Sequence, residues 1–515
     1  MKKIVASVVM FLLLSSIGQA QNYEFNDVKQ ASTGGVHAIK NDNEVIGYVS
    51  VIYLDKVSNK EKLYGVSLLD NNLQQTHYKE IILKKREFLV AQAFNGTNFC
   101  FAFLNTQTKT LDYVIYDLKL EETGRYSTKE VSPTLLQSGS TAKNDDKLSF
   151  EGLFAVANKG FICHTYLKAK GYKGSIEMID NSGELLWKWG TGFVGKMYEG
   201  LQTHHVGEKI VLSSVTSKKS AFSPEMKVYL VAHDLSTGEE VYRIQTEDSK
   251  LQMFPYDVSY VQGTNEYIVC GEYYKTGENM FKVKSQGFFI QVYDAMDGGQ
   301  KKTSLVHWTK DVAKKLPTGK KEGYKDMDVS IHKMLITKDG RIFAVGEQFK
   351  KAVNAAGVAL QLMTNNSGVS MVQVEIHDMM VFEFDTSFQL DKVHVVEKNK
   401  SNIWLPEGYE FMRGHMLATL LKLDGSFDHC YTSVTPDRSN FNSVYVDYDR
   451  EKEGKYVVGI VGLNEAHEFS TDQYALTTKP NMFYVCEAKP GYVAIVEYFR
   501  KEKRLTIRLE KSNLE

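Results

Sequence analysis

FEGLFAVANKGFICHTYL, residues 150–167, is an alternating apolar run, a tight Asn-Lys-Gly turn and a second, more apolar run. IEMIDNSGELLWKW, residues 176–189, follows as an alternating run that closes on Asp180, a second polar turn, and a run carrying Trp187. Period-two alternation argues for strands half-buried on one face. Asn and Gly supply the positive φ that a short hairpin turn demands. The two segments together spell four strands joined by short connections.

The first half recurs as REFLVAQAFNGTNFCFAFL (86–104), GLQTHHVGEKIVLSSV (200–215), DVSYVQGTNEYIVCGEYY (257–274) and HKMLITKDGRIFAVGEQF (332–349). GGVHAIKNDNEVIGYVSVIYL (34–54) and VYVDYDREKEGKYVVGIVG (444–462) read as further copies. The second half recurs around Asp70, Asp117, Asp234, Asp294 and Asp385. An Asp side chain accepts from backbone N–H groups two residues on, so these aspartates are expected to fix turns and not to act as acids or bases. Four strands per unit, repeated seven or eight times, give an all-β β-propeller with long loops on one face.

The last unit, residues 482–511, supplies three strands and then stops. NYEFNDVKQ, residues 22–30, is expected to provide its missing outer strand, which would leave no open edge there. Residues 397–440 fit the repeat poorly and are expected to be an atypical blade or an insertion. AVNAAGVALQLM (352–363) is the best helical candidate.

Before this domain of residues 21–515, the chain opens with Lys2 and Lys3, an uncharged apolar stretch over 4–17, and Gly18-Gln19-Ala20. That order predicts a secretory signal peptide over residues 1–20, cleaved near Ala20, and a periplasmic or extracellular protein. The apolar stretch is short for a spanning helix. No Cys stands at the cleavage point, and no later stretch reads as transmembrane. The net charge of −1 becomes −3 without Lys2 and Lys3. A nucleic-acid partner would need a basic excess that this chain lacks. The five Cys residues sit in apolar contexts without a CxxC pair, and read as small buried hydrophobes.

DNSGELLWKWGTG and DLSTGEEVYRIQT resemble the Asp-x-x-Thr/Ser-Gly-x-x-x-Trp signature of pyrroloquinoline-quinone-type propeller repeats, a group that includes periplasmic assembly propellers. The resemblance implies fold, and a Trp187 docked between blades. It implies no cofactor, and none is expected.

Long segments collect in the loops after second strands and in the links between blades, so a working surface is expected on that face. Lys218, Lys219, Lys282, Lys284, Lys314, Lys315, Lys320 and Lys321 would give it a positive rim. Trp308, Tyr324, Trp404 and Tyr409 would offer stacking faces. The candidate binding residues are therefore Lys282, Trp308, Lys320, Tyr324, Trp404 and Tyr409. No HExxH, GxSxG or phosphate-cradling Gly loop occurs, so neither catalytic nor metal-binding residues are assigned. His204-His205 is read as a turn-flanking pair with opposed rings. Three functions fit: a non-catalytic propeller binding an envelope or extracellular protein or glycan, a glycan-active enzyme with paired carboxylates, and an envelope assembly or scaffold factor.

Overall fold

A computed structural model describes residues 21–514 apart from 32–34, 42–43, 142–149, 170, 193–196, 221–222, 224–225, 247–249, 262, 281, 325, 354–371, 406–409, 411, 450–454 and 465. The signal-peptide segment and most of the helical candidate at 352–363 lie outside the described residues. The fold is an all-β propeller of eight four-stranded antiparallel blades.

The chain divides into two compact units. The first holds two blades. Blade I is Val36–Asn41, Glu44–Ser58, Glu61–Asp70 and Gln75–Lys84. Blade VIII is Met482–Glu487, Tyr492–Phe499 and Arg504–Lys511, and its fourth strand is Asn22–Phe25. The register runs from Asn22↔Arg508 to Phe25↔Leu505, as expected for an N-terminal strand completing the last unit. Val28, Tyr48, Leu73, Val496 and Ile507 form the core of this unit.

The second unit holds six blades. Blade II is Glu87–Phe94, Phe99–Asn105, Thr110–Tyr116 and Glu122–Thr128. Blade III is Leu153–Val156, Gly160–Ala169, Gly171–Asp180 and Leu185–Gly190. Blade IV is Met197–Val206, Ile210–Lys218, Met226–Asp234 and Glu240–Gln245. Blade V is Leu251–Val261, Glu266–Lys275, Gly287–Asp294 and Gln300–His307. Blade VI is Asp328–Ile336, Ile342–Val353, Val372–Phe384 and Leu390–Val396, and blade VII is His429–Val434, Phe441–Asp449, Lys455–Leu463 and Phe469–Ala475. Among the described residues, no helix is long and apolar enough to cross a membrane.

The six aspartates are turn residues. Asp70 Oδ1 accepts from the N–H groups of Asn72 and Gln74, each at 2.8 Å, and Asp117 repeats this with Lys119 and Glu121. Asp180 and Asp385 make the same pair of bonds, and Asp234 and Asp294 accept within turns one residue longer. Blade VII uses Asn464, whose Oδ1 accepts from Glu468 N–H at 2.9 Å.

These turns join neighbouring blades. Trp187 of blade III donates its indole N–H to the Leu235 oxygen, in the turn of blade IV. Tyr242 of blade IV donates to the Ala295 oxygen of blade V, and Ser304 of blade V donates to the Phe388 oxygen of blade VI. In the first unit, Tyr23 of the N-terminal strand donates to Gln75, just past the Asp70 turn. An aromatic or hydroxyl side chain from one fourth strand thus reads the next blade's turn.

Two expectations are corrected, the copy at 444–462 and the burial of every cysteine. The copy at residues 444–462 is the second and third strands of blade VII. Its first hairpin is residues 429–449, whose first strand and turn lie inside the segment that fitted poorly, because that turn rests on Asp437 and on Arg438 at φ 56°. Residues 397–440 are composite: an added strand, Ser401–Trp404, the helix Gly414–Leu423, and the start of blade VII. Of the cysteines, Cys100, Cys163 and Cys270 are buried, but Cys430 is exposed, because the first strand of blade VII bulges there and turns it outward.

Candidate functional site

Blade VI carries more strand than the fold requires. Its second and third strands, Ile342–Val353 and Val372–Phe384, run past Leu390–Val396, which pairs only with Met379–Phe384. The chain then returns as Ser401–Trp404 and pairs with the overhanging part, Gln373↔Trp404 through Ile376↔Ser401. The fourth strand is therefore split, and residues 397–400 lie at the break.

Facing residues in paired strands share a side of the sheet. One side of the extension, with Phe349, Val374 and Ile376, packs against Leu417, Ala418 and Leu421 of the helix Gly414–Leu423. That helix ends at Gly425, φ 64°, where the Ser426 N–H bonds back to the Leu421 oxygen. The other side presents two rows: Ala352, Gln373 and Trp404, then Lys350, Glu375 and Asn402. Trp404 is 62% exposed. Glu375 receives Lys400 at 2.7 Å, His377 at 3.3 Å and Lys350 at 3.4 Å. The hydrogen bond from Lys400 holds its carboxyl below the usual range.

The break is anchored by a buried ion cluster. The Lys398 side chain is 0% exposed and pairs with Asp428 and, at 3.5 Å, with Glu347, which is equally buried. Glu347 Oε2 also accepts from the His429 N–H at 3.1 Å and lies 3.1 Å from His332 Nε2. The His332 and His429 rings stack at 4.5 Å, 2° from parallel. Burial holds both imidazoles well below their ordinary pKa, so the His332–Glu347 contact joins a neutral imidazole to the carboxylate. Burial pushes Glu347 up against the pull of Lys398, and Asp428 up to about 6. Asp428 accepts from Ser401 Oγ at 2.9 and 3.0 Å, and Asp447 accepts from the Asn399 N–H at 3.1 Å. The root of the Trp404 strand is therefore fixed by carboxylates from blade VII.

Glu347 and Asp428 form a close carboxylate pair of the kind the glycan-active reading asks for. They are closed around Lys398, which gives them a structural role. Among the described residues, no group of three His, Cys, Asp or Glu side chains could hold a metal ion.

The candidate binding residues separate. Trp308 is 2% exposed, donates to Ser285 Oγ at 2.8 Å, and packs on Phe288. Tyr324 is buried in the same core. Neither offers a stacking face, because Trp308, Val312 and Leu316 recur every four residues on short helical turns and point inward. Lys320 bridges Asp378 and Glu397 at 3.0 and 2.8 Å, at the root of the extension. Lys282 is exposed in a blade V loop. Trp404 is exposed as expected, and Tyr409 lies outside the described residues. His204 and His205 are not opposed across a strand, since a bulge at His204 lets it meet Ser214 at 2.9 Å while His205 packs on Tyr260. Sequence reading missed Lys350, Gln373, Glu375 and Asn402. The alternation in VQVEIH and SNIW carries that signal.

The fold and this face define a β-propeller with an elaborated sixth blade. The chain belongs to a family of unknown function, DUF6770, whose model matches residues 1–513. No curated protein matches it. Among solved structures it is similar to BamB from Moraxella catarrhalis, at 10% identity and TM-score 0.42, over 96% of this chain and 99% of that one. It is also similar to the β-propeller domain of the Trilobed protease from Pyrococcus furiosus, at 10% identity and TM-score 0.37, over 86% and 97%. Prolyl oligopeptidase B from Galerina marginata matches at 8% identity and TM-score 0.42, over 92% of this chain and 56% of that one.

Proposed function

We propose that this is an exported, non-catalytic β-propeller that binds a protein or glycan partner through the extension of blade VI, with Trp404 at the contact. The observation that carries the reading is an indole 62% exposed on a strand whose root is held by a buried ion cluster. A large aromatic left in water is costly, and a rigid mount lowers the ordering cost of binding at it. Export is supported by the charged, apolar and small-residue order of residues 1–20. Lys320, which bridges Asp378 and Glu397 at the root of the extension, is assigned to the rim of this surface.

The test is quantitative recovery of envelope proteins and glycans by the mature protein and by Trp404→Ala, each checked for an unchanged urea midpoint. Recovery should fall at least about tenfold, a loss of about 1.4 kcal/mol. Equal recovery by both would sink the reading.

A further inference from the structure

The polar side of the blade VI extension has the layout of a sugar platform. Neighbouring strands lie about 4.8 Å apart, and same-side residues in one strand about 7 Å apart. Ala352, Gln373, Trp404, Lys350 and Asn402, with the buried Glu375 between them, therefore mark out a patch of about 10 by 7 Å, close to the footprint of two linked pyranose rings. Trp404 stands at one corner. Gln373 pairs with it directly, and Asn402 precedes it by two residues on the same side. Planar amides can bridge neighbouring hydroxyls, while the C–H face of a pyranose stacks on an indole.

A protein interface looks different. Its centre is apolar and depleted of charge, and each partner contributes about 800 Å². Here one aromatic stands among amides and ion-paired lysines. Charge decides the class of sugar. Lys350 and Lys400 bring two positive charges against the single carboxylate of Glu375, and burial keeps His377 neutral against the pull of that carboxylate. The patch carries a net positive charge beside its aromatic.

We infer that this face binds an anionic polysaccharide chain, with a sugar ring stacked on Trp404 and a uronic carboxylate drawn to Lys350 and Lys400. The inference rests on the binding reading above and adds the class of ligand. It makes a signed demand on Glu375. That carboxylate competes with the ligand for both lysines, so Glu375→Gln releases them and tightens binding to an acidic chain.

The experiment measures affinity of the mature full-length protein for polygalacturonate, alginate and the neutral glucan laminarin at low and high salt. Expected are binding to a uronate polymer that weakens with salt, a loss of at least about tenfold in Trp404→Ala, and a gain of a few-fold in Glu375→Gln. Equal affinity for laminarin, or weaker uronate binding in Glu375→Gln, overturns the anionic assignment. Recovery of an envelope protein in a Trp404-dependent manner, with no polysaccharide bound, overturns the ligand class and leaves the binding face standing. No Trp404-dependent ligand of either kind overturns both. Unchanged urea midpoints keep loss of binding separate from loss of fold.

Discussion

The indole N–H of Trp187 donates to the backbone oxygen of Leu235 at 2.9 Å, and the ring lies flat against the turn that ends in Gly238. A Cβ on Gly238 would come within 2.5 Å of that ring, at a φ of 72° that L side chains rarely adopt. Trp187→Ala should lower unfolding free energy by about 3–5 kcal/mol. Gly238→Ala should cost less, yet clearly more than an exposed Gly→Ala change. Urea titration reads both, and equal midpoints for Gly238→Ala and wild type would show that the turn yields.

Leu73 and His467 occupy the same turn position in blades I and VII, at φ 65° and 58°. For an L residue this conformation costs about 1–2 kcal/mol. Leu73 offsets it by burying its side chain, worth about 1.5–3 kcal/mol, whereas His467 is exposed. Leu73→Gly should therefore destabilise by about 1 kcal/mol, and His467→Gly should leave stability unchanged or raised by a similar amount. Thermal midpoints of the two variants should shift in opposite directions or differ clearly in size.

Lys398 is the cation between two buried carboxylates. Lys398→Met leaves Glu347 and Asp428 facing each other unpaired, at a cost of about 3–5 kcal/mol. Protonation removes that repulsion, so the deficit should shrink as pH falls toward 5. A deficit that does not change with pH would show that Lys398 contributes packing alone. Trp404-dependent binding should weaken in the same variant, because the strand root is held by Asp428.

Acidification should destabilise the protein. Burial lowers His204, His205 and His233 to about 4 and His164 to about 3, and holds His332 and His429 well below their ordinary value. The unfolded chain then binds more protons between about pH 6.5 and 4, so each group's stability is full above 6.5 and is lost as pH falls through that window. Burial raises Glu272 to about 7 and Asp428 to about 6, which acts in the opposite sense. Burial also raises Glu347, Asp328 and Glu199 and lowers His307 and His377, so among the described residues eight imidazoles stand against five carboxyls. The urea midpoint should be lower at about pH 5 than at about pH 7, and His204→Gln should flatten the difference.

The repeat was legible because it is local. An Asp, its turn and the strand that follows lie within about ten residues, and their spacing survives any change in loop length. The eighth blade was legible from a missing partner, since three strands at the C-terminal end require a fourth. The Trp404 mount was not. Glu347 and His332 come from two strands, Lys398 from the break between two others and Asp428 from the approach to a fifth, and nothing in FAVGEQF or EKNKSN marks a buried charge. Trp308 and Tyr324 misled for a different reason. Flanking lysines gave their segment the look of a surface loop, while the four-residue recurrence of Trp308, Val312 and Leu316 was the stronger signal.

The pairing of Glu24 with Arg504 at 3.0 Å joins residues 480 apart in sequence. Bringing such distant segments together costs about 5 kcal/mol of chain entropy, before any strand contact returns it. The N-terminal strand therefore has no strand to pair with until Arg504–Lys511 exists. Until then, the backbone groups of Asn22–Phe25 are open to other chains. Closure of this blade is thus the longest-range step that the strand pairing of the first unit requires.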